Sequence, residues 1–135
     1  MSDRIRQAVI AYLKGNAGVQ AILGQRIYSL KLPDNLTNWP AATIQRVSTV
    51  RHHTKLGPAG LTDSRIQVSI FGPDFLAVTQ AADAVRAALD GFRGDMGGVT
   101  VHNVRSDGEI DLYDPDAGMD GTYHVALEFV ITHEG

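Results

Sequence analysis

The chain has 135 residues, no cysteine and a formal net charge of −3. That is enough chain for one domain burying about two-thirds of its unfolded surface. The missing cysteines exclude a disulfide scaffold, a thiol nucleophile and a thiolate zinc site together. The opening MSDRIRQAVIAYLKG interrupts its apolar residues with charge, unlike a signal peptide, and no run is long enough to span a bilayer, so the expectation is a soluble intracellular protein with no membrane partner.

Charge is unevenly distributed. Through Gln67 there are nine basic residues against three acidic ones; beyond it, three basic against twelve acidic. Such a division can steer a chain toward a complementary surface, another copy of itself included, unless folding interleaves the two halves.

In chain order, Ile5, Ala8, Val9, Tyr12 and Leu13 recur at helical spacing, with Ser2 or Asp3 as cap and Gly15 as the end. Asn16 caps a second short helix holding Val19, Ile22 and Leu23, closed by Gly24, and Arg26-Ile27-Tyr28 reads as extended. Pro33, Asp34, Asn35, Asn38 and Pro40 make 30–40 a loop with an apolar tip at Leu36 and Trp39. Ala42 to Val50 is a strand, and the odd spacing of Ile44 and Val47 points to a bulge or an exposed end.

The stretch Arg51 to Phe71 stands out. Arg51, His52, His53, Thr54 and Lys55 offer little apolar surface, and Gly57-Pro58-Ala59-Gly60 is turn chemistry, so 51–60 is expected to be an exposed, mobile binding loop. Ile66, Val68 and Ile70 then alternate with Arg65, Gln67 and Ser69, the signature of a strand with one buried face.

Gly72-Pro73-Asp74 opens the longest helix, with Phe75, Val78, Ala82, Val85 and Leu89 as its stripe and an end near Gly91. Arg93 to Gly98 reads as a turn into Val99-Thr100-Val101, which alternates on through His102 and Val104. Glu109 to Tyr113 reads as another short strand. Tyr123, Val125, Leu127, Phe129 and Ile131 form a final strand that should be central or well covered. The order implies an α+β fold: a mainly antiparallel sheet with the N-terminal helix and one long helix packed on one face, in a single domain spanning 1–135.

No catalytic constellation emerges. His52 and His53 are adjacent and diverge in an extended segment, and His102, His124 and His133 lack metal-ligand spacing. In the run from Asp111 to Gly121, Met119 fills the position a calcium loop reserves for glycine, and Val125 stands where a bidentate glutamate is needed, so this is a solvated hairpin loop. The glycines of 91–98 follow a helix instead of opening one, which excludes a phosphate loop, and no GxSxG elbow supports Ser48, Ser64, Ser69 or Ser106 as a nucleophile. No cofactor is expected. Overall acidity argues against a dedicated nucleic-acid binder despite Arg46, Arg51, Lys55 and Arg65.

Taken in order, Arg26-Ile27-Tyr28, the loop to Trp39-Pro40, Ile44 to Ser48, Arg51 to Thr54 with Gly57-Pro58 and Leu61-Thr62, and Arg65 to Val68 resemble the tail-completion proteins of long-tailed phages, prophages and gene-transfer agents. Ala82 to Phe92 is similar to that family's long helix and its exit, and Asp111 to Asp114 with the last strand to its C-terminal hairpin. The resemblance implies a non-enzymatic virion assembly protein that caps the head-proximal end of the tail tube and joins tail to head, acting as a hexameric ring. Its implied partners are its own copies, the tail tube protein, a head-completion or connector protein, and DNA passing through the lumen without sequence-specific binding.

The charge division fits a ring, where one face of a subunit meets a different face of the next. The candidate interface is basic Arg46, Arg51, His52, His53, Lys55 and Arg65 against acidic residues among Asp107, Glu109, Asp111, Asp114 and Asp116, on a neighbour or on the tube. The alternatives are a small-ligand or enzymatic domain with a pocket lined by Tyr28, Trp39 and His102, and a cellular assembly adaptor.

Overall fold

The computed structural model describes residues 4–33, 36–54, 57–114 and 122–134, with the backbone described at 51–54, 57–59 and 114. Among these residues three helices lie against a six-stranded sheet. The elements are α1 (Arg4–Gly15), α2 (Ala17–Leu23), β1 (Ile27–Ser29), β2 (Ala41–Thr54), β3 (Gly57–Gly72), α3 (Phe75–Leu89), β4 (Gly94–Met96), β5 (Val99–Asp114) and β6 (Thr122–Glu134). The strand order is β1-β2-β3-β6-β5-β4, antiparallel throughout except where β1 runs parallel to β2. The α+β expectation is met, and the five-residue alternation of β6 does belong to a central strand.

The helices form where the sequence places their caps. The Asn16 side chain accepts from the Val19 amide at 3.1 Å, and Asp74 does the same for Leu76 at 3.1 Å, each satisfying an amide the first turn leaves without an intrahelical partner. The expected cap at Ser2 or Asp3 lies outside the described residues. Ile5, Ala8, Val9 and Leu13 of α1 and Val78, Ala82, Val85 and Leu89 of α3 are buried against one side of the sheet. That side is built by Ile44, Ile66, Val68, Ile70, Val125, Leu127, Phe129 and Ile131. Phe75, expected in the α3 stripe, instead stands part-exposed at the helix start, its ring 5.2 Å from that of Tyr123.

Three strand expectations are corrected. First, 51–60 is not a loop: β2 continues through Thr54, and β3 begins at Gly57, with Arg51 opposite Thr62, His53 opposite Pro58 and Thr54 opposite Gly57. The β6 ladder ends where Glu134 meets Leu61, so this hairpin projects beyond the sheet by about four residues, roughly 13 Å. With no third strand or helix there among the described residues to bury a face, it has no reason to alternate, and a period-two pattern does not reveal it. Second, the two strands read at Val99–Val104 and Glu109–Tyr113 are one, β5, with register shifts between Val101 and Asn103 and between Ser106 and Glu109. The second shift contains Gly108 at φ 141, which supplies the irregular backbone. Third, the turn at 93–98 contains the short strand β4, whose Met96 is fully buried. The bulge expected around Val47 is present, between Arg46 and Ser48.

Candidate functional site

Alternation divides the sheet into a helix-covered side and a bare side. Rows across the bare side are Ala41, Phe71, His124 and Leu112, then Thr43, Ser69, Ala126 and Ile110, and further along Ser48, Arg65, Val130 and Arg105. This side is mostly small or uncharged, and its cations are already engaged. Arg65 donates to Asp107 and to Glu128 (2.9 Å), and Arg105 lies 3.5 Å from Asp107. The hydrogen bond from Arg65 holds the Asp107 carboxyl below the ordinary carboxylate range, and Asp107 and Glu128 in turn raise the guanidinium. Asp63 accepts from the Thr132 hydroxyl at 2.6 Å.

The proposed interface residues therefore fall in different places. Arg46 lies on β2, next to the bulge, and Asp111 is exposed on β5. Arg51, His52 and His53 occupy the end of β2 and Asp114 the end of β5, as backbone positions; Lys55 and Asp116 lie outside the described residues. Arg65 sits on an inner strand, with carboxylates of its own chain as partners. β2 and β6 run in the same direction with β3 between them, so the β2–β3 hairpin leaves one end of the sheet and the β5–β6 hairpin leaves the other. The first carries the basic cluster and the second the acidic one. Reading the sequence predicted both clusters but not their placement, which depends on strand order.

The acidic end also has an aromatic rim. Tyr123 packs 4.7 Å from Tyr113 and 5.2 Å from Phe75, and Phe71 stacks on His124 at 4.3 Å. Arg86 of α3 donates to Asp83 (2.9 Å) and to Glu109 of β5, tying the helix to this strand.

His102 does not join Tyr28 in the pocket alternative. Tyr28 lies on β1 and His102 on β5, four strand spacings apart, roughly 19 Å; His102 bonds Glu134 at 3.0 Å. The arrangement most like an enzyme's is elsewhere: the Ser64 hydroxyl lies 2.8 Å from His133 Nε2, and His133 Nδ1 lies 3.1 Å from the Glu134 carbonyl. Ser64 is only 1% exposed on the covered side of the sheet, so no substrate carbonyl reaches it. The pair satisfies two buried polar groups across the β3–β6 ladder. Among the described residues no three acidic, histidine or cysteine side chains cluster to hold a metal. Nor is any described helix long and apolar enough to cross a membrane.

Comparison with known proteins adds the family. No curated protein matches the sequence significantly. Among solved structures the fold matches a chain of the "virion of native gene transfer agent (GTA) particle" with a TM-score of 0.78 and 17% identity, covering 99% of this chain and 97% of that one. At that identity the match establishes the fold. The family described as tail completion protein gp17 matches residues 7–134, nearly the whole chain. The protein belongs to the tail completion protein gp17 family, a structural component of phage-like virion tails.

Proposed function

We propose that this protein closes the head-proximal end of a tail tube and joins it to the filled head, acting as a ring of copies through contact and not catalysis. The observation that carries the reading is the pair of oppositely charged hairpins leaving opposite ends of one sheet. One molecule can then grip two axial neighbours at once: the tube protein at one end and the head-completion or connector protein at the other. Complementary charge favours each correct contact and disfavours the wrong one.

In this reading the bare side of the sheet turns toward the channel. A lining rich in free lysine or arginine would hold DNA by its phosphates and release counterions on binding. Here Arg65 and Arg105 already face Asp107 and Glu128, and the remaining rows are largely small and uncharged, so DNA passes without being trapped. The ring number of six comes from the family resemblance.

Electron microscopy of particles from a strain lacking the gene, complemented in parallel, tests the role. Filled heads beside unattached tails are expected, with overlong tails added if the ring also stops tube growth. Intact, infectious particles from the deletion strain would reject it.

A further inference from the structure

On the helix side of the sheet α3 lies over β3 and β6, and the far half of β5 runs beside it uncovered. Glu109, Asp111 and Tyr113 alternate onto that side, opposite Leu127, Val125 and Tyr123 of β6, and all three are exposed. Across from them Phe75, Thr79, Asp83 and Arg86 recur at helical spacing along one flank of α3. Helix and strand are tied at two points. At one end Tyr123 sits between Phe75 and Tyr113, its ring 5.2 and 4.7 Å from theirs; at the other Arg86 donates to Glu109. Between the ties the strand wall is roughly 13 Å long and the helix wall roughly 16 Å, so the two walls match and enclose a trough.

The lining of the trough defines its occupant. At the end toward the β5–β6 hairpin, Phe75 is 42% exposed and Tyr113 51%, aromatic surface of the kind that marks a contact. The rest is acidic: Asp83, Glu109 and Asp111 oppose Arg86 alone, which is 1 − 3 = −2. Arg86 is engaged by Asp83 and Glu109, while Asp111 has no ion-pair or hydrogen-bond partner among the described residues. A purely apolar occupant would strip water from the Asp111 carboxylate and leave it unpaired, which is costly. Asp111 also stands two residues before Tyr113 on the same face, roughly 7 Å away. A guanidinium is planar with its donors in the plane, so it can bond the Asp111 carboxylate edge-on while lying over the Tyr113 ring; an ammonium does not combine the two in this way. A second copy fits less well, since its own basic hairpin leaves the opposite end of the sheet.

We propose that the trough between α3 and β5 takes an extended, arginine-bearing segment of the protein that abuts the acidic end of the sheet. About four residues of that segment lie between the walls, with an arginine on Asp111 and Tyr113. This rests on the axial reading given above and names what that neighbour must carry.

Amide NMR of the isotope-labelled chain, titrated at low salt with the peptide acetyl-Val-Arg-Val-Arg-amide, tests the trough. Saturable shifts are expected at Phe75–Thr79 and Asp111–Tyr113, and none with the matching glutamate peptide. Asp111→Asn and Tyr113→Ala, both at exposed positions and checked for an unchanged thermal midpoint, should each weaken binding by roughly three- to tenfold. No saturable shift in these segments, an equal response to the glutamate peptide, or unchanged affinity in both variants would overturn the proposal. Complementing the deletion strain with the Asp111→Arg, Tyr113→Ala chain should then fail to restore joined particles; full restoration would overturn the axial placement of the trough. Intact particles from the deletion strain itself would instead reject the joining role, a failure the peptide titration does not share.

Discussion

His133 and His124, both on β6, are depressed below the ordinary histidine range by burial; for His133 the Glu134 carbonyl and the Asp63 charge oppose the shift without reversing it. Because the folded chain resists protonation there, the unfolded chain takes up protons first as pH falls. The neutral-histidine contribution is therefore complete above about pH 6.5 and is lost as pH falls from there toward the folded values. The urea midpoint should drop between pH 7.5 and 5.5, and His133→Gln with His124→Gln should flatten that drop; a native chain with a pH-independent midpoint over this range contradicts the argument. Packing sets a larger cost. Phe129 is fully buried at the middle of β6, and Phe129→Ala should destabilise the fold by about 3–5 kcal/mol, read from denaturant unfolding.

Among the elements, α3 depends on the Asp74 cap, and Asp74→Ala should cost about 1 kcal/mol, visible as a lower thermal midpoint. The β4–β5 turn depends on close approach: at Gly97, φ is 56° and an added Cβ would lie 2.9 Å from the Ala8 backbone of α1. Gly97→Ala should therefore cost about 1–3 kcal/mol through strain and displacement of the helix; an unchanged urea midpoint would show that α1 yields freely. These elements also show what is legible in the chain. α3, the core of β3 and β6 announce themselves because each buries one face and so imposes a period on the sequence. Arg51–Thr54 runs out at the end of the sheet, past the last pairing of β6, and Arg105–Tyr113 of the edge strand β5 is exposed throughout, so the first looks like a loop and Ser106–Gly108 looks like a break. The candidate interface suffers the same loss: its charges are visible in the sequence, but the edge strands that carry Arg46 and Asp111, and the internal pairing of Arg65, follow from strand order and register, which local patterns do not encode.

At the scale of the whole molecule, charge contacts with the axial neighbours should weaken with salt, since exposed pairs are screened beyond about 8 Å at physiological ionic strength. Raising sodium chloride should release the protein from its axial neighbours on purified tails, and Arg51→Glu should impair its retention there at low salt. If the single reversal assembles normally at low salt, charge is not what selects the neighbour. The opposed hairpins have one more effect. In the proposed ring of like-oriented copies there is an up and a down: one rim gathers the end of β2 with Arg51, His52 and His53 from every copy, the other gathers the end of β5 with Asp114. A ring delivered upside down would meet each axial neighbour with the wrong sign. If the proposed ring forms, orientation is fixed inside each subunit before assembly begins, and the tail needs no separate device to tell its head end from its tip.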